Sequence, residues 1–418
     1  MILALLLSAL TMDEAVERAL RNNPEVAVAR AARVVASAQA AVARALPAPE
    51  FRMSIGSFDA DPETVKERTT IGLRYSPPRP REMALKQAIA HAQEKSASAE
   101  IRVAEARAAA EVRLAFRRAV IAQNRAAVAQ RLVELRKNKR RTLLRQVSAG
   151  LKESDEKDLA DLDVEEAENT LRKALSVARS ERTKLARLID PSGLLNDELV
   201  MDPAMVTVPV SINTSSGLIE LALTGRAELD VIDGTCREYE LEGKRASNQR
   251  YPWISFVEVS HRVTYLPDRG PWGWKFGVDL PFFRSAAAAE AKLAEAQQTR
   301  CRTQHRAMAA KIRSEVEAGI SNLEEIRREL LDVDRLRSGP AERALQRAQN
   351  ALRAGRADQI DVFDAEARLL TIQDRWLERR LHYIDLELQL EAALAGPLST
   401  INHAVVTNTS STDSTYHP

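Results

Sequence analysis

The chain has 418 residues, 45 % of them hydrophobic and only 4 % aromatic, and its 61 basic and 59 acidic residues leave a net charge of +2. So even a balance gives no case for nucleic acid as a partner, and the two cysteines, Cys236 and Cys301, show no metal-like spacing and predict no framework of bridges. Few aromatics with abundant Ala and Arg point to long helices with small side chains at their seams rather than to a thick globular core.

Residues 1–10, MILALLLSAL, are apolar without a basic start and read as the remnant of a secretory signal. They are too short for a membrane helix, which needs about 20 apolar residues. No other stretch reads as a membrane helix, so a membrane crossing would have to be made by strands. A helical pattern from Met12 to Ala45 is broken at Asn22-Asn23-Pro24 and ends at Pro47 and Pro49. Phe51, Met53 and Ile55 then alternate with Arg52, Ser54 and Gly56, and Ile71, Leu73 and Tyr75 with Thr70, Gly72 and Arg74, which predicts two strands with one apolar and one polar face. A helix from about Arg81 to Ala149 would run roughly 100 Å at 1.5 Å per residue.

Gly150 ends that helix, since glycine takes the left-handed conformation cheaply, and a return helix follows to Asp190-Pro191. Residues 191–216 carry no period and read as a linker. Gly217 to Arg250 repeats the first helix, and the strands recur. Val257, Val259, Val263 and Tyr265 alternate with Glu258, Ser260, Arg262 and Thr264; Trp272, Trp274, Phe276, Val278, Leu280 and Phe282 alternate with Gly273, Lys275, Gly277 and Asp279. Helical pattern resumes at Arg284, with a kink expected at Gly339-Pro340, and reaches a second tip at Gly355, where Asp358 or Asp361 can cap the next helix. After Gly396 the Ser/Thr/Asn-rich tail, to residue 418, reads as disordered.

The two return helices carry one pattern. Ala160, Val164, Ala167, Leu171, Ala178, Leu185 and Leu188 recur, at an offset of roughly 205, as Ala365, Leu369, Ile372, Trp376, Tyr383, Leu390 and Ala393. Arg379 breaks this coiled-coil seam, and a second stripe, Leu370, Leu377, Leu381, Ile384 and Leu388, runs beside it. Residues 11–190 and 217–395 are thus two copies of one unit. The order and spacing of these motifs, with Gly355, the DVFDA that follows it and the opening MDEAVERALRNNPEVAVARA, resemble the TolC-like outer-membrane efflux proteins from about Thr11 to Leu394.

The resemblance implies a mainly α fold with a small β part: tandem helical hairpins forming an α-helical barrel, and four strands per chain joining a shared trimeric transmembrane β-barrel. Four strands cannot close a barrel alone, and open edges are not tolerated in lipid; two or three copies satisfy closure, and the resemblance selects a homotrimer. It further implies a passive exit duct in the outer membrane, reaching into the periplasm and partnered by a periplasmic adaptor (membrane fusion) protein and an inner-membrane pump of RND or ABC type. The polar-face residues Arg52, Arg74, Glu258, Arg262, Lys275 and Asp279 would line the barrel lumen, and Tyr75, Trp253, Tyr265, Trp272 and Trp274 an interfacial belt. Val278 and Leu280 would face lipid, so Arg at Gly277 would be tolerated better than Arg at either of them. By motif position Asp361 and Asp364 would form the channel constriction, with hairpin tips at Gly150, Glu156, Gly355 and Arg356. Leu352, Ala357 and Glu156 stand where relatives place closing links, and Arg356 lies one residue off. Asp374 and Asp385, farther up the helix, read as exposed, screened charges.

No phosphate loop, nucleophile elbow or zinc signature is present, so neither an enzyme nor a cofactor is expected. Cys301 and His305 share a helix face, but two ligands make a poor metal site. The rival reading is a periplasmic or structural coiled-coil scaffold that conducts nothing.

Overall fold

The computed structural model describes residues 9–59, 65–190, 198–199, 215–263, 271–280, 285–394 and 396. Tyr265, Phe282, residues 1–8, most of the expected linker and the tail beyond Gly396 lie outside them. In chain order the elements are β1 (Ala9–Leu10), α1 (Met12–Asn22), α2 (Pro24–Arg44), β2 (Glu50–Asp59), β3 (Val65–Tyr75), α3 (Glu82–Ser148) and α4 (Ser154–Ile189). Then follow β4 (Glu198–Leu199), α5 (Ser215–Gly225), α6 (Ala227–Asn248), β5 (Trp253–Arg262), β6 (Trp272–Asp279), α7 (Ser285–Leu336), a π-helical turn (Arg337–Ala341), α8 (Glu342–Arg353) and α9 (Gln359–Leu394).

Helix boundaries follow local chemistry. Asn23 is extended (φ −69°, ψ 122°), and its Oδ1 accepts from the N–H groups of Glu25 (2.8 Å) and Val26 (3.2 Å), capping a helix whose first residue is Pro24. The second repeat breaks at the equivalent Arg226, between α5 and α6, where no proline marks it in the sequence. At Pro340, where the sequence predicts a kink, the missing N–H is accommodated in a π-helical turn, Arg337–Ala341.

The chain divides into two units, and each draws on both repeats. The hairpin unit takes Met1–Ala27, Val103–Arg226 and Ala310–Pro418. Its main core joins Leu10, Ala15 and Val16 to Val112, Phe116, Leu185 and Ile189. Ala9 and Leu10, expected to belong to a leader remnant, are part of this unit: they pair in parallel with Glu198 and Leu199, and Leu10 is fully buried. Thr11 caps α1 in a reciprocal box with Glu14. On α9, Leu370, Leu377, Ile384 and Leu388 are buried, while Ala365, Leu369 and Ile372 on the neighbouring seam are only partly covered. Arg379, the break in that seam, pairs with Glu329 of α7 at 3.0 Å.

The sheet unit takes Val28–Arg102 and Ala227–Ala309. Its antiparallel sheet has the order β2-β3-β5-β6, which leaves β2 and β6 as open edges. Residues 77–82 strap its helices to the strands. The Arg79 guanidinium donates to Tyr251 O and pairs with Asp279 at 3.1 Å, and Trp253 Nε1 donates to Pro77 O at 2.9 Å. Helix α6 packs close on α3 through Gly234, where a Cβ would stand 2.9 Å from that of Ser96. On its other side α6 is cross-linked to α7 by a Cys236–Cys301 disulfide. The sequence predicts no framework of bridges, and the structure joins the two cysteines in this single one; closing a loop of this length is worth about 2–4 kcal/mol. Helix α2, 21 residues with a mean hydropathy of 1.3, is long and apolar enough to cross a membrane, although only 17 % of its apolar window is buried; the sequence reading expects no membrane helix there.

Candidate functional site

The two tips are built alike. Gly150 and Gly355 both have positive φ (73° and 66°). In the first tip Gly150 N–H donates to Val147 O and Leu151 N–H to Gln146 O; in the second, Gly355 N–H donates to Leu352 O and Arg356 N–H to Ala351 O. That pair of bonds satisfies the last carbonyls of a helix and requires a left-handed residue, hence glycine. After the second tip Asp358 caps α9: its Oδ1 accepts from Gln359 N–H, and the Asp361 carboxylate accepts from Asp358 N–H at 3.0 Å. Both expected capping residues therefore take part, one from each side of the turn.

Asp361 and Asp364 have different surroundings. Asp361 is exposed. Asp364 accepts from Lys139 Nζ at 2.6 Å and lies 3.7 Å from Arg136, which also pairs with Asp163 of α4 at 2.8 Å. Gln146 donates to Asp358 at 2.7 Å, tying the end of α3 to the start of α9. In the first tip Glu156 is held by Lys152 at 3.0 Å. That bond raises the Lys152 pKa, and the nearby charges of Asp358 and Asp361 raise it further. Arg356 is exposed.

Away from the tips, α3 carries a basic ladder paired in opposite order along α9: Arg117 with Glu387, Arg118 with Asp385, Arg125 with Asp374, and Arg131 with Glu366. Asp374 and Asp385, expected to be screened bystanders, are corrected by this geometry. Each accepts a two-point bond from its arginine at 2.8–3.0 Å, and each raises that arginine's pKa against the opposing effect of burial. The sequence held this signal as bases on α3 and acids on α9 in reversed order.

The strand register puts the polar-face residues together. Glu50, Arg74, Glu258 and Lys275 lie directly across from one another, Lys275 bonds Glu258 at 3.1 Å, and Arg52 pairs with Glu50. Arg262 lies opposite Thr70 on the same face. Asp279 lies opposite Trp253 and is held by Arg79. Two placements differ from expectation. A bulge between Ile254 and Phe256 shifts the alternation, so Trp253 stands opposite Asp279 on the charged face rather than in an apolar belt. Phe256 is also on the charged face, its ring under the Arg74 guanidinium at 3.5 Å. Gly277 has no room for a side chain, because a Cβ there would sit 2.5 Å from Ser255 Oγ and 2.7 Å from Phe256 Cδ1.

The opposite face carries Phe51, Met53, Ile55, Leu73, Trp272, Trp274, Phe276 and Val278, all between 48 % and 76 % exposed. His261 stacks edge-on to Trp272 there at 4.8 Å. The sheet therefore has a bare apolar face, a charged face and two open edges.

No family model matches the sequence, and no curated protein matches it. Solved structures do match. An outer membrane protein, VceC, from Vibrio cholerae shares 17 % identity, with 92 % of this chain and 96 % of that one covered and a TM-score of 0.70. The open state of the Neisseria gonorrhoeae MtrE outer membrane channel shares 17 %, covering 93 % and 89 %, also at 0.70. The Campylobacter jejuni CmeC outer membrane channel shares 13 %, covering 92 % and 85 %, at 0.71. The fold is the one these outer-membrane channels have, a helical hairpin repeat with a four-stranded antiparallel sheet, as the resemblance implied.

Proposed function

We propose that this chain is the exit duct of a tripartite export system: a homotrimeric outer-membrane channel that passes drugs, metal ions or other exported substrates passively, served by a periplasmic adaptor and an inner-membrane pump. One observation carries the reading. Strands of 8–11 residues are long enough to cross a bilayer when tilted, and their sheet has one bare apolar face, one charged face and open edges. Lipid covers the first, water the second, and copies of the chain close the third; three copies give a barrel of twelve strands. The charged row Arg52, Arg74, Glu258, Arg262, Lys275 and Asp279 then faces the lumen.

Helix α2 supports the same reading. Val28, Val35 and Val42 recur every seven residues at 69 %, 57 % and 73 % exposure, a heptad stripe left uncovered by the described residues. A neighbouring copy covers it. At the tips, Asp361 and Asp364 form the constriction of the proposed duct, with Asp361 the acid that presents its charge to permeating cations and Asp364 the acid that fastens α9 to α3. Fractionation of cells expressing the chain behind a complete signal tests the proposal. A heat-modifiable trimer in the outer membrane supports the duct, whereas a soluble monomer would mean a scaffold.

A further inference from the structure

The Cys236–Cys301 disulfide lies beside a groove of about 400 Å³ between α6 and α7, lined by Cys236, Arg237, Arg302, His305, Arg306 and Asp233 among others. The two sulfurs differ. Cys301 is 1 % exposed, whereas Cys236 is partly exposed and lines the groove. The groove is electropositive. Its lining sets Arg237, Arg302 and Arg306 against two acids, Asp233 and Glu240, and Glu240 is engaged by Arg237 (2.6 Å) and Lys244 (2.5 Å). Arg302 and Arg306, one turn apart on α7, form no ion pair among the described residues.

We propose that this disulfide is a thiol-exchange site for small anionic thiols. Exchange needs a thiolate to reach one of the two sulfurs, and Cys236, the partly exposed residue that lines the groove, is the end that a solute can approach, whereas Cys301 is buried. The incoming thiolate forms a new S–S bond to Cys236 as the Cys236–Cys301 bond breaks, and Cys301 leaves with the electron pair and takes a proton from water. A second thiolate then attacks the sulfur of the bound thiol, leaving Cys236 as a thiol and releasing the small disulfide, so the incoming thiol is the reductant. The buried end is prepared for the reduced form: Cys301 Sγ lies 3.4 Å from Ile232 O, which can accept from the S–H that reduction creates. Arg302 and Arg306 concentrate anions at the groove mouth, and exchange removes the cross-link between α6 and α7.

The test uses the full-length protein purified in detergent from an oxidising compartment, with 2-mercaptoethanesulfonate as the anionic thiol and cysteamine as the cationic one, at matched thiolate concentration. At low salt the anionic reagent should open the bond about fivefold faster or more, and the preference should shrink at high ionic strength. Acid quenching and peptide mapping should find the mixed disulfide on Cys236. The surface variant Arg302→Gln/Arg306→Gln, which leaves both cysteines and the fold in place, should lose most of the preference. An adduct on Cys301, equal rates with the two reagents, a preference unchanged in the variant, or two free thiols in the oxidised protein would overturn the proposal.

Discussion

Phe256 lies over Gly277 on one side and under the Arg74 guanidinium on the other, so β6 needs a glycine at that point. Gly277→Ala should prevent correct sheet formation and reduce the yield of assembled trimer severalfold. Gly56→Ala, or even Gly56→Arg, should not, since no atom lies within 4 Å of the Cβ it would add. Semi-native gel electrophoresis of the three variants checks this, and full assembly of Gly277→Ala would refute the bulged register. The tip acids should also separate. Asp364→Ala strands the Lys139 ammonium, whose side chain is only 16 % exposed, at a cost on the order of 1–3 kcal/mol for a largely buried group without its partner. It should loosen the tip and raise single-channel conductance. Asp361→Ala removes only an exposed carboxylate and one backbone cap, so it should lower cation selectivity and block by trivalent cations with little change in conductance. Identical effects from the two variants in a planar bilayer would end the division of roles.

Two elements are left incomplete by the single chain, the sheet and α2. Val35→Glu on α2 puts a charge at a position 57 % exposed, so it costs the folded chain little but places three carboxylates in the seams between copies. The variant should keep its helical circular dichroism and lose its trimer; a trimer that survives would show that α2 faces something else. On the sheet, Val278→Arg should block insertion, since a midplane charge facing lipid costs roughly 2–4 kcal/mol per chain, and an outer-membrane trimer formed as efficiently as wild type would place that face elsewhere. These elements were legible because their signals are local: period two in the strands, glycine at both tips, proline at Asn23-Pro24. The break at Arg226 was not, because no proline marks it and Gly225 is the one local signal; Arg226 is also held by Glu315 at 2.8 Å, far along the chain. The Cys236–Cys301 bond was hidden because its ends are 65 residues apart and become neighbours only when α6 packs on α7. The bulge hid the placement of Trp253, because one extra residue reverses the alternation on which the face assignment relied.

The whole molecule is a duplicated unit with apolar surfaces that one copy leaves uncovered. The repeat offset was readable because both halves keep the tip geometry, down to the same pair of backbone bonds at Gly150 and Gly355. The charge ladder between α3 and α9 is not legible in either helix alone, since each half of it looks like ordinary helix surface until the partners are set side by side. The central claim is that one sheet face meets lipid while the other meets water. Tryptophan quenching by brominated phospholipid tests it most directly, because Trp272 and Trp274 are exposed on the apolar face at 64 % and 73 %, whereas Trp376 is buried and Trp253 is bonded to Pro77 O. In reconstituted full-length protein, brominated lipid should quench a large share of the emission, and Trp272→Phe/Trp274→Phe should abolish most of that quenching. Emission that brominated lipid leaves unchanged would contradict the membrane sheet and, with it, the duct.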